Sequence, residues 1–387
     1  MRIVFIFLLL NFFCASAQEL QTGAEQPELY LPLLKGKQIG LVVNHTSKVG
    51  DQHLLDFLIE NKIDVVRIFS PEHGFRGDAD AGEHIKDQRD SATGIPVISL
   101  YGSNKKPQKE QFADLDAIVF DIQDVGVRFY TYISTLHYVM EACAENDKKL
   151  FVFDRPNPNG DYMAGPVLKP EFQSFVGMHP IPVVHGCTVG ELAQMINGEG
   201  WLKDHEKCSL TVVPVKNYTH ETSYSLPVKP SPNLPNDVAI RLYPSLCFFE
   251  ATSASIGRGT YFPFQVIGYP DRRFGCFQFT PQSIDGLSKD PKQKGNVCYG
   301  IDLQKSNIND RFSLSYFLDF YHQFDNESDF LTRERWFNLL AGTDQLLKDI
   351  REGKSLDEIE AGWVADLNDY QSIRKKYLLY ADFNQVK

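Results

Sequence analysis

Glu72 and His73 stand side by side in "SPEHGFRG" (70–77), and Glu83 follows in "DADAGEH" (78–84). Eleven positions and a glycine-containing turn separate the two glutamates, so a loop could fold both carboxylates over one crevice. Two carboxylates flanking a bond are what glycoside hydrolysis asks for. One protonates the leaving oxygen, and the other supports a cation-like transition state or activates water. By pattern alone the signal is weak, because glutamate pairs on loops are mostly solvated. A second constellation, His73, Asp121, Asp124, Asp154 and His185, mixes imidazole with carboxylate as mononuclear metal hydrolases do. Its spacing across separate segments fixes no coordination geometry, so neither a metal nor a cofactor is assigned. No G-x-G-x-x-G follows a strand, and there is no Walker loop, no H-E-x-x-H and no G-x-S-x-G elbow.

The elements that would position these residues alternate along the chain. Apolar runs occur at "QIGLVVN" (38–44), "DVVRIFS" (64–70), "IPVISLY" (95–101), "AIVFDIQ" (117–123), "KKLFVFD" (148–154) and "IPVVHG" (181–186). Between them lie helical-period stretches such as "HLLDFLIENK" (53–62) and "TYISTLHYVMEACAENDKK" (131–149). Near-continuous runs separated by helices predict an α/β fold with a mostly parallel sheet covered on both faces. "TVGE" (188–191) predicts a capping box opening a helix. Glu72-His73, Asp121, Asp124, Asp154 and His185 all fall at or just past strand ends, the edge that forms the ligand crevice in open α/β sheets. The plainer reading is that such residues are turns and caps. Beyond the Pro-rich "SLPVKPSPNLPND" (225–237), the segments 313–324, 337–354 and 355–380 read as helices. A boundary is therefore expected there, with a first domain over 22–235 and a smaller mixed α+β domain over 236–387.

Composition sets limits. The 387 residues are 43% hydrophobic and 23% charged, with net charge −11 and pI near 5.4. That argues against a nucleic-acid binder, which would show a basic face. "MRIVFIFLLLNFFCASA" has the basic start, short apolar run and small-residue site of a secretory signal peptide over 1–17, which predicts an exported, periplasmic or extracellular protein. The run is too short to span a bilayer. Lipid attachment at Cys14 is the rival reading, disfavoured by Phe12 and Phe13 where small residues belong. The other six cysteines are scattered without CxxC or zinc spacing and read mainly as buried thiols.

"SPEHGFRG…AGE", "DIQDVGVRFYTY", "DRPNPNG", "GPV", "SPNLP", "SIGRGT" and "AGTDQLLKDIREGKS…IRKKYLLY" resemble, in that order, a bacterial family long catalogued only as a domain of unknown function. Its members are identified as exo-acting β-N-acetylmuramidases. The resemblance covers essentially the whole mature chain. It implies a Rossmann-like N-terminal domain, a smaller C-terminal domain and a cleft between them. It also implies release of N-acetylmuramic acid from non-reducing ends of peptidoglycan fragments, with muropeptides or glycan ends as the partners. By motif, Glu72 is the expected general acid and Glu83 the second carboxylate. Around them His73 orients Glu72 and Arg76 tunes it. Asp121 and Asp124 contact substrate or cap the next helix, and Arg128 and Tyr130 contact ligand or pack under the rim. Asn157 contacts substrate or shapes a turn. Glu250 pairs with an arginine such as Arg258 or faces the cleft. Arg76, Arg128 and Arg258 are the candidate readers of the lactyl carboxylate, with Arg128 and Arg258, one from each domain, the preferred pair. Two rivals stay open: an amidase or esterase, with a nucleophile or metal, and a non-catalytic wall-binding protein.

Overall fold

The structure, a computed structural model, describes residues 19–72, 74, 75 and 88–384. The leader segment, His73, Arg76 and Glu83 lie outside the described residues.

Five of the apolar runs form strands, β1 (Gln38–Val43), β4 (Asp64–Ser70), β6 (Pro96–Ser99), β7 (Ala117–Asp121) and β8 (Lys149–Phe153), and other segments add the hairpin β2 (Lys48–Val49) and β3 (Gln52–His53), β5 (Gln88–Arg89) and β9 (Ser209–Val213). Seven of them make one sheet in the order β5-β6-β4-β1-β7-β8-β9, parallel throughout except for β5 at the edge. The chain works outward from β1 through β4 to β6, then crosses back and works outward again through β7, β8 and β9. The order therefore reverses between β1 and β7, the switch point at which doubly wound sheets open a crevice.

Side chains alternate across the sheet, as the pleat requires. Leu41, Val43, Val119, Phe151 and Phe153 point to one face, where they pack with the helices α1 (Pro27–Leu34) and α2 (Leu54–Glu60). Val42, Ile118, Phe120, Leu150 and Val152 point to the other, against α3 (Tyr132–Glu145) and α4 (Val189–Gly198). The Thr188–Glu191 capping box opens α4 as the sequence predicts. The strand expected at 181–186 is absent. Ile181, Val183 and Val184 are fully buried, but their segment bonds to Arg128 and Ala164 through single bridges rather than joining the sheet. The outermost parallel strand is instead β9, whose half-exposed "SLTVV" looks less like a core run than the buried segment does.

The remaining chain supplies α5 (Asp237–Leu246), a small antiparallel sheet of β10 (Val266–Tyr269), β11 (Phe277–Phe279) and β12 (Cys298–Asp302), and six further helices. These are α6 (Ser315–Gln323), α7 (Glu327–Phe330), α8 (Glu334–Ala341), α9 (Gln345–Arg351), α10 (Leu356–Ala361) and α11 (Val364–Arg374). The stretch 337–354 is two helices, divided at Gly342, whose φ of 73° is a left-handed stop. Phe248, Phe317 and Phe337 join Phe120 and Leu136 in one apolar cluster, so the core runs without interruption from the large sheet into the C-terminal part. The six cysteines of the described residues are free thiols, with Cys276 exposed and the others buried. Among the described residues no helix is long and apolar enough to cross a membrane.

Candidate active site

Glu72 lies two residues beyond β4, whose last carbonyl, on Ser70, accepts from Leu100 N at 2.8 Å. Two residues at the start of α3, from the far side of the switch point, hold it. Thr131, at the entry to α3, donates its hydroxyl to Glu72 Oε2 at 3.0 Å. Tyr132, the first residue of α3, reaches the Glu72 carbonyl at 3.4 Å. The Tyr101 phenol, after β6, adjoins the same carboxylate; burial and then the Glu72 charge push its pKa well above the ordinary tyrosine value. Glu72 is thus a carboxylate placed by a strand end and oriented by hydroxyls, facing a cavity of about 530 Å³. That volume is within the roughly 300–1,000 Å³ of small-molecule sites.

One wall of the cavity is aromatic. Tyr130 packs edge-on against Tyr132 at 4.8 Å and Tyr243 at 6.0 Å, and its hydroxyl donates to Pro230 O at 2.7 Å. The C-terminal part supplies further lining. There Arg258 Nη2 donates to Glu250 Oε1 at 2.5 Å, and the guanidinium lies 5.1 Å from the Phe264 ring centre. Behind this pair, Lys292 donates to the carbonyls of Phe249, Glu250 and Thr252, and burial lowers its pKa to about 8. Cleft walls drawn from both parts of the chain suit a ligand held between them.

Of the sequence candidates, Glu72, Tyr130, Glu250 and Arg258 line this cavity. The others with described positions do not. Asp121 is fully buried and gripped by Arg155 through two bonds, Nε to Oδ1 at 2.6 Å and Nη2 to Oδ2 at 2.9 Å. Asp124 takes the Gly126 N–H at 2.6 Å and stands 3.7 Å from His185 Nε2. Asn157 clamps a turn, donating to Cys187 O and accepting from Asn159 N, each at 2.8 Å. Gly126, at φ 77°, passes so close to Asn157 that a Cβ there would come within 2.1 Å of its Oδ1. Asn157 also borders a separate polar cavity of about 110 Å³ beside Asp161, His220 and Arg241.

Arg128 corrects the expectation most. Its side chain is fully buried and donates to the carbonyls of Pro166, Ile181 and Leu340 at 2.8, 2.7 and 2.8 Å. With no carboxylate in contact among the described residues, burial lowers its pKa to about 9. It ties α8 to the N-terminal part from inside the protein and does not reach the cleft. His73, Arg76 and Glu83 lie outside the described residues. Among the described residues no three His, Cys, Asp or Glu side chains converge as a metal set. Asp154 spends its oxygens on Thr188, Gly190 and Tyr380.

The residues that sequence reasoning missed are Tyr101, Lys105, Thr131, Tyr132 and Trp336, all on the cavity wall. Thr131 and Tyr132 end the quoted "DIQDVGVRFYTY", and Tyr101 ends a quoted strand run, so their adjacency to strand ends was the available signal. Lys105 and Trp336 carried none.

The comparisons settle kinship. Residues 39–238 match the family model for the N-terminal domain of exo-β-N-acetylmuramidase NamZ, and residues 241–380 match that for its C-terminal domain. The chain belongs to the NamZ exo-β-N-acetylmuramidase family. Among NamZ-family relatives, the peptidoglycan β-N-acetylmuramidase NamZ of Bacillus subtilis (strain 168) is 38% identical over 390 residues, covering 95% of this chain and 92% of its own. Two solved DUF1343 family proteins from Bacteroides fragilis NCTC 9343 share the fold. The one at 1.30 Å has TM-score 0.87 and 48% identity over 94% of this chain and 99% of its own. The one at 1.65 Å has TM-score 0.81 and 30% identity over 93% and 99%.

Proposed function

We propose that this chain is an exo-acting β-N-acetylmuramidase that hydrolyses terminal non-reducing N-acetylmuramic acid from peptidoglycan fragments. Its membership of the NamZ family over both matched regions supports the reaction class. The observation that carries the site is Glu72: a strand-end carboxylate, oriented by Thr131 and Tyr101, at a cavity walled by both parts of the chain. Glu72 acts as general acid to the glycosidic oxygen. Glu83 is proposed as the second carboxylate on its place in the quoted motif alone. Glu250, the other glutamate lining the cavity among the described residues, is already paired with Arg258.

The test is a chromogenic β-N-acetylmuramide beside the matching glucosaminide. Wild type should release chromophore from the muramide, and Glu72→Gln should cut kcat by roughly 10²–10⁴-fold with an unchanged melting temperature. A Glu72→Gln variant retaining more than about a tenth of the wild-type rate removes Glu72 from the mechanism. We also propose that the chain is exported by its leader over 1–17, on the pattern of that segment; cell fractionation and N-terminal sequencing of the mature protein test this. The division into 22–235 and 236–387 remains our proposal, supported by the change of matching family model between 238 and 241.

A further inference from the structure

The cavity faces a substrate with a carboxylate of its own. N-acetylmuramic acid carries a lactyl ether that N-acetylglucosamine lacks, and a site that selects it needs a cation on its wall. In a chain of net charge −11 that cation must be local. The preferred pair of readers is committed elsewhere. Arg128 is buried among three carbonyls away from the cleft, and Arg258 is already bonded to Glu250 at 2.5 Å.

Lys105 remains. It lines the cavity, is half-buried, and has no carboxylate partner among the described residues. Its ammonium lies 4.4 Å from the centre of the Phe175 ring. An aromatic face holds a cation in place while leaving its charge uncancelled. Both supports are themselves fixed. Next to Lys105, Lys106 is anchored to Glu141 at 2.9 Å and Glu145 at 2.7 Å, so the two lysines of "NKKP" are split between an outer anchor and the cavity. Asn104 donates to Ser99 O at 3.1 Å, pinning the same loop to β6. Phe175 sits in a tight turn closed by reciprocal bonds between Ser174 and Gly177, at 2.9 and 3.0 Å, and stacks on Tyr138 of α3 at 6.3 Å.

Resting on the muramidase reading above, we propose that Lys105, held on the Phe175 ring, binds the lactyl carboxylate and sets the preference for muramic over glucosamine ends. The test uses the chromogenic muramide as free acid and as its lactyl methyl ester, with wild type, Lys105→Gln and Lys105→Arg. Wild type should favour the acid over the ester. Lys105→Gln should lower kcat/KM on the acid by roughly 10–100-fold, as loss of a charged hydrogen bond does. The loss should sit in KM and leave the ester unchanged, and Lys105→Arg should restore most of it. Added salt should raise the wild-type KM for the acid and not for the ester, which reads the same contact without any substitution. A Lys105→Gln enzyme that keeps the wild-type acid-over-ester ratio, or a salt-independent KM for the acid, overturns this inference and leaves the muramidase reading intact. Wild-type silence on both substrates sinks that reading, and this inference with it.

Discussion

Thr131 shows how little at the residue scale separates positioning from structure. Its hydroxyl makes no cap bond to α3 and donates to Glu72 instead, so its loss should touch catalysis and spare the fold. Thr131→Val, equal in shape, should lower kcat by roughly 10-fold with KM and melting temperature unchanged; steady-state kinetics beside a thermal melt decide it. A fall in melting temperature in place of kcat would make Thr131 a packing residue. Glu72 was legible because a carboxylate following a buried strand is out of place unless it has work. The arginines were legible as types and not as directions. "GVRFY" and "SIGRGT" each put an arginine within two residues of a glycine. The pairing of Arg258 with Glu250 was one of the expected alternatives, whereas nothing in "GVRFY" says that the Arg128 guanidinium turns inward to three carbonyls. Lys105 was illegible because "SNKKP" reads as a solvated loop, and the ring that receives it is 70 positions further on.

Elements carry their own titration. Asp154 closes β8, takes Gly190 N–H at the start of α4, and accepts the Tyr380 hydroxyl from the C-terminal tail at 2.5 Å. Burial raises its pKa from 3.8 to about 6, against the pull of the Thr188 and Tyr380 hydroxyls. The folded pKa is above the unfolded one, so the unfolded chain gives up this proton first. The group's contribution to stability is complete below about pH 4, declines as pH rises toward about 6, and is lost above that. Asp154→Asn should abolish the decline. Urea unfolding of both proteins from about pH 4 to about pH 7 should show wild type losing about 3 kcal/mol relative to the variant, and parallel profiles would rule Asp154 out. In the C-terminal part, Gly342 stops α8 at φ 73°, and a Cβ there would come to 2.7 Å from Arg128 Nη2. Gly342→Ala should therefore cost roughly 1–3 kcal/mol, measured by denaturant midpoint. The periodicity of the chain located most strands and helices because buried runs and helical spacing are local properties. It misplaced one strand at 181–186 because burial alone cannot distinguish a sheet member from an extended segment packed beside it.

Across the whole molecule, Arg128 and the continuous apolar cluster bind the two matched regions into one body. Arg128→Met would leave the carbonyls of Pro166, Ile181 and Leu340 without this donor and should lower stability by roughly 1–3 kcal/mol, the cost of buried acceptors left unsatisfied. It should not alter any preference between muramide and glucosaminide, since the side chain never meets the cavity. Scanning calorimetry of wild type should give a single transition, and two resolved ones would show that the regions melt separately. The same seam bears on how such a chain can be made and dissected. The family models meet between residues 238 and 241, an inviting place to cut, yet the cut would strip Phe120 and Leu136 from Phe248, Phe317 and Phe337. Either fragment, synthesised alone, would meet the ribosome's surroundings with an open greasy flank and collect in inclusion bodies, whereas the two produced in one cell should rescue each other into a soluble, nicked enzyme.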